Sequence, residues 1–303
     1  MMKRSAITVL TFLMGSFCLF SQEEENSPVY IPEKDDWSIG IDATPFLNYF
    51  GNFIGGAEQN EAPTWTFLTG NQQITGKYFV EDDMAYRGSI RIGLAGFSIT
   101  TLVNDRSQDM GDITFPDIPL QVENKMKISN NNIGLSGGVE WRKGKNRLQG
   151  FYGGELGVAM TSLSVNYEYG NELTVATADN PVNVSAADEF SGAGNLQNDP
   201  YHLVPARIVE QSAGLTLGVG LRGFVGAEYF ILPKLSLGGE FGWGLVYMSN
   251  GAGETVSEMR NPAGDQVGKV TRTGTRASGF SVDTDSNNTV FGPAAALRIS
   301  LYF

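Results

Sequence analysis

The chain has 303 residues, 38 of them glycine, with a formal net charge of −12 and a mean hydropathy of −0.14. The acidic balance argues against nucleic acid and against an anionic bilayer surface as partners. One cysteine (Cys18) and one histidine (His202) exclude a disulfide framework and deny a zinc site its usual ligands.

Lys3 and Arg4, followed by an apolar run over 6–20, read as a secretory signal peptide over 1–21, too short for a transmembrane helix. Cys18 lies inside the segment that cleavage after Ser21 removes. Phe17 before it is too large for a lipoprotein signal. Losing Lys3 and Arg4 takes the net charge from −12 to −14. Residues 22–36 are acidic and are expected to form a mobile tail, and 37–303 a single all-β domain. No later apolar run is long enough to cross a bilayer as a helix, a test that overlooks strands with alternate residues facing inward.

The alternation is clearest over 213–231. Apolar residues there occupy the odd positions, and Gly214, Thr216, Gly218, Gly220, Arg222, Phe224, Gly226, Glu228 and Phe230 occupy the even ones. A period of two held that long predicts a strand longer than the globular average. Segments near 37–49, 66–80, 84–102, 128–142, 147–167, 211–231, 235–249 and 289–303 all read as strands. Their connections alternate between long (50–65, 103–127, 168–210, 250–288) and short (81–83, 143–146, 232–234). This is the pattern of an antiparallel up-and-down transmembrane barrel with four extracellular loops and three periplasmic turns. Eight strands is the primary count, and ten follow if a long loop holds another membrane hairpin. On the apolar parity, Trp37, Tyr78, Tyr86, Trp141, Tyr229 and Phe303 fall near the short turns, and Tyr49, Tyr247 and Phe291 near the opposite ends. Two interfacial aromatic belts are expected from that placement.

Leu297, Ile299, Leu301 and Phe303 alternate with Arg298, Ser300 and Tyr302. An alternating strand closed by an aromatic residue resembles the last strand of Gram-negative outer-membrane barrels of the OmpA/OmpX-like eight-stranded type. The resemblance implies localisation in the outer membrane, contact with lipid and lipopolysaccharide, and recognition of this strand by the barrel assembly machinery. It is one of architecture and terminal signals, so it carries no activity with it.

The polar parity places Asp42, Glu140, Glu155, Glu228 and Glu240 inside, together with Lys77, Arg87, Arg91, Arg142, Arg222 and Arg298. Near-balanced signs in an interior sized for side chains predict a plug of paired charges. The competing expectation is a narrow ion path gated by those pairs. His202 with Asp199 would suit a general base, but no serine motif accompanies them. Loop carboxylates (Asp105, Asp109, Asp112 and Asp117; Asp179, Asp188, Glu189 and Asp199) are of the oxygen type that calcium takes, without an EF-hand pattern. No phosphate loop or dinucleotide fingerprint appears, so neither a cofactor nor a metal is expected. Around 172–186 a hairpin could rise above the membrane. Lys269, Arg272 and Arg276 form a basic patch that could meet lipopolysaccharide phosphates. The expected function is non-enzymatic: envelope structure or loop-mediated binding. The alternatives are a small pore or uptake channel and, more remotely, a membrane-embedded enzyme acting on lipid A or protein.

Overall fold

The computed structural model describes residues 30–56, 73–108, 113–114, 116–181, 196–198, 204–284, 290–291 and 297–303. The expected signal peptide and residues 22–29 of the expected tail lie outside them. The described chain is predominantly β, in one antiparallel sheet of thirteen strands. These are β1 (Trp37–Asp42), β2 (Ile74–Glu81), β3 (Met84–Asn104), β4 (Gln121–Lys145), β5 (Leu148–Glu168), β6 (Leu196–Asn198) and β7 (Pro205–Ser212). They continue with β8 (Thr216–Leu232), β9 (Leu235–Asn250), β10 (Glu254–Arg260), β11 (Val267–Thr273), β12 (Ala277–Thr284) and β13 (Leu297–Tyr302). A single described helix, α1 (Thr44–Gly55), follows β1. No described helix is long and apolar enough to cross a membrane.

Each strand pairs with the next from β1 to β5. β5 then pairs with β8, β8 with β9, β9 with β13, and β13 with β1. The tight turns need unusual backbone at Asn146 (φ 54) and Lys234 (φ 61). Asparagine tolerates that region through its own side-chain hydrogen bonding.

Thirteen strands stand where eight were expected, because the anticipated loops at 168–210 and 250–288 are partly sheet. β7 pairs with β5, β6 and β10, and β10 with β11. This added hairpin joins the far side of β7 rather than widening the β1-to-β13 path. The strand expected over 211–231 is broken at 213–215, where Gly214 turns to φ 78. A side chain at Gly214 would stand 2.5 Å from the Gly251 carbonyl oxygen, so the break requires glycine. Breaks at 251–253 and 274–276 lie beside it, joined by Gly251 N–H to Leu215 C=O and Gly274 N–H to Gly253 C=O. The sheet therefore creases along one line, with β8, β9 and β12 on one side and β7, β10 and β11 on the other.

The first expected strand, 37–49, stops at Asp42. Pro45 lies in the first turn of α1, where its missing amide costs nothing, and Asp42 accepts the Thr44 amide at 2.8 Å. Phe46, Phe50, Phe53 and Ile54 follow at helical spacing, which the period-two reading passed over. Gly56 ends the helix in the left-handed region. Tyr49 consequently belongs to a helix and not to a strand-end belt.

The last expected strand, 289–303, is also shorter. β12 and β13 take successive stretches of the same β9 edge, with β12 against 243–250 and β13 against 235–239. Between them Val290 and Phe291 are buried with Val246, against Ala159 and Met248. Phe291 is thus inside, not on an outer belt. Side chains at Gly157, Gly218 and Gly220 would strike Val290 or Phe291, so glycine makes their seat.

Residues 30–36, expected as mobile tail, instead strap the turn end. Asp35 N–H donates to Phe79 C=O, Lys34 N–H to the Asp82 carboxylate, and Lys234 reaches Asp36. The Arg147 guanidinium lies 3.9 Å from the Tyr30 ring centre.

Candidate functional site

Strand alternation sorts the side chains of β8 with little ambiguity. Gly218, Gly220, Arg222, Phe224, Glu228 and Phe230 are buried, while Leu217, Val219, Leu221, Val225, Tyr229 and Ile231 are exposed. The same inversion holds on β9, where Glu240 is buried and Phe241, Trp243, Leu245 and Tyr247 are exposed. The sheet thus buries its charges and shows its large apolar groups.

The buried charges meet in two carboxylate hubs. Glu140, with no exposed surface, accepts Lys77 Nζ at 2.8 Å and lies 3.2 Å from Arg142 Nε and 3.5 Å from Arg87 Nη1. Glu240 accepts both terminal nitrogens of Arg87 at 2.8 and 3.2 Å, Arg222 at 2.6 Å and Arg298 at 3.3 Å. Glu155 joins them, 2.7 Å from Arg222 and 3.4 Å from Arg87 Nε. Glu228 pairs with Arg142 and accepts the hydroxyls of Ser236 (2.8 Å) and Tyr302 (2.7 Å). Arg87 therefore bridges three carboxylates while its guanidinium lies 4.0 Å over the Phe224 ring. Bidentate forks of this kind let buried charges satisfy one another.

Of the eleven residues expected in this cluster, the structure brings nine into shared ion pairs. Asp42 is the exception by contact, since its carboxylate serves the start of α1. Arg91 is buried two inward positions from Arg87 on β3, past Ser89 and beside Gly134. Leu297, Ile299 and Leu301 of the expected assembly signal lie on β13, with Leu297, Leu301 and Phe303 exposed. Ser236 and Tyr302 were missed as partners of Glu228. The polar parity of their strands was the available signal.

Space is tightly filled. The cavity bounded by Lys77, Phe151, Glu228, Glu240 and Arg298 has a volume of about 10 Å³, no more than one water occupies. Below it Phe79, Ala85, Phe230 and Tyr302 form an aromatic floor against which Tyr30 packs. Glycines opposite the large groups make the fit possible. A side chain at Gly226 would stand 2.3 Å from Phe151 Cζ, and one at Gly138 would stand 2.6 Å from Glu155 Cβ. Gly76, on the opposite face, has nothing closer than 3.6 Å. Gly226→Ala is expected to cost about 1–3 kcal/mol by overpacking, and Gly76→Ala to be neutral, in matched urea titrations.

The broken strands beyond the crease carry a second, smaller arrangement, unforeseen because it lies in an expected loop. Arg207 is buried, donates to Glu258 at 2.7 and 2.9 Å and to Asn171 C=O at 2.9 Å, and stacks over Tyr169 at 4.3 Å. It staples the sheet extension to the segment after β5. Asp179, one of the expected loop carboxylates, pairs with Arg260 at 2.8 Å, and Asp105 accepts the Ser107 amide at 2.8 Å. Asp109, Asp112, Asp188, Glu189, Asp199 and His202 lie outside the described residues. Among the described residues no cluster of histidine, cysteine or acidic groups could hold a metal ion. No protein-family model matches the chain, and no curated protein is significantly similar to it.

Proposed function

We propose that the chain is an integral outer-membrane β-barrel protein of non-enzymatic function, its lumen closed by paired charges and its extracellular sheet available for binding. The inversion of the two faces carries this reading. Leu94, Leu156, Leu221 and Trp243 are all more than half exposed, whereas Glu140, Arg87, Arg222 and Glu240 are buried. In water an apolar face of that extent would far exceed the patches that soluble monomers tolerate. In lipid it is the expected outer surface.

A pairing path that returns from β13 to β1 suits a barrel of eight strand positions, OmpA/OmpX-like in architecture, whose interior is filled by side chains. Trp141 stacked on Tyr152, and Trp37 tilted against Tyr78, near the turn end fit an interfacial belt. In this reading Leu297, Ile299, Leu301 and Phe303 form the apolar row that the assembly machinery recognises. Lipid and lipopolysaccharide are the surrounding partners. The opposed charges and the 10 Å³ cavity support closure rather than conduction. Protein refolded into a planar bilayer, with folding verified by heat-modifiable gel migration, is expected to be electrically silent at all ionic strengths. Reproducible conductance would overturn closure and make Arg87, Arg91, Arg222 and their carboxylates a gate.

A further inference from the structure

The sheet beyond the crease ends at β11, which among the described residues pairs with β10 alone. Among the described residues nothing pairs with the backbone donors and acceptors of its other edge. Natural edges are usually shortened, bulged, interrupted by proline or studded with charge, lysine above all, which blocks pairing with like-charged strands. β11 is seven residues long, pairs with β10 in unbroken register and holds no proline. Gly268, Lys269, Thr271 and Thr273 are exposed.

Charge decides what can add to it. From 267 to 276 the chain carries Lys269, Arg272 and Arg276 and no acidic residue, in a protein whose net charge is −12. The acids of the same hairpin, Glu254 and Glu258, lie on β10, so they stand one strand further from anything paired to β11. Glu258 sits between two cations, opposite Lys269 on one side and bonded to Arg207 on the other, so it does not cancel both. A second copy of β11 would bring its own Lys269 and Arg272 against this pair, an unfavourable cross-strand arrangement. We propose that β11 accepts an extended acidic segment of a partner protein by strand addition, backbone bonds giving affinity and the cations selecting the sequence. This rests on the reading that the sheet beyond the crease lies outside the bilayer.

The test uses the full-length protein refolded in liposomes and a fluorescent peptide matched in length to β11. The peptide carries glutamates on both faces, because Lys269 and Arg272 lie on opposite sides of the strand, and valine or threonine elsewhere. Binding is expected, weakened about tenfold or more by the double substitution Lys269→Glu and Arg272→Glu. N-methylation of alternate peptide amides keeps every charge but removes the donors, and is expected to abolish binding. Equal binding of the methylated peptide would overturn strand addition in favour of plain charge attraction. No binding by the native sequence, or loss of binding only to lipopolysaccharide micelles in the double variant, would overturn it too and assign the cations to lipid phosphate. Thr271→Cys labelled on intact cells by an impermeant maleimide separates the two levels. Labelling without peptide binding sinks this inference alone, while failure to label sinks the extracellular placement beneath it.

Discussion

On the proposed placement in lipid, Leu221→Arg is expected to destabilise the protein by about 2–4 kcal/mol, the cost of a cation near the bilayer centre. Leu221 is 59% exposed, and its neighbours across the strands are Leu156 and Leu245, both also exposed. On a soluble protein so exposed a side chain would be replaced at a cost within about 0.5 kcal/mol. The two environments thus predict clearly different values for one substitution. Reversible urea unfolding in liposomes measures it. A change near zero would contradict the lipid-facing assignment of β8.

Glu240→Ala should cost about 3–5 kcal/mol, because it strands Arg87, Arg222 and Arg298 around a site that no longer holds a counter-charge. All three lie within 3.3 Å of the carboxylate they would lose. Glu155 remains bonded to two of them but is shared already. The same urea titration reads the loss. A cost below about 1 kcal/mol is the value seen for solvent-exposed pairs, and would mean that water or ions reach the hub and that the interior is open.

What the sequence made legible follows from its simplest periodicity. Between Met84 and Leu232 alternation alone separates buried Arg87, Glu140, Glu155, Arg222 and Glu228 from exposed Tyr86, Trp141, Leu156, Leu221 and Tyr229. Charge balance then pointed to pairing, although not to the particular hubs. Which arginine meets which glutamate depends on cross-strand register and on glycines such as Gly138 that bring neighbouring strands' groups together. Period-two reasoning failed where another local rule won. Pro45 and the Asp42 carboxylate start a helix inside an apparently alternating run. Phe291 kept the parity of an outer face, yet the glycine seat at 157, 218 and 220 draws it inward together with Val290. Arg207 and Glu258 lay in stretches too short and polar to register as strands. β7 and β10 pair with each other, and β7 also with β5. Ile208, among their few apolar groups, is buried only by packing with distant residues such as Met126 and Tyr167.

The most direct test of a lipid-facing outer surface is depth-resolved quenching of Trp243 in liposomes. Trp37, Trp65 and Trp141 are replaced by Phe, and lipids brominated at successive acyl positions are used. Trp243 sits on the exposed face of β9, 4.6 Å from the Phe241 ring, and pairs across to Gly223 of β8. The fluorescence is expected to fall most with bromines deep in the acyl chain. Quenching that is absent, or that is strongest from the headgroup region, would contradict the proposed placement of the sheet in the membrane.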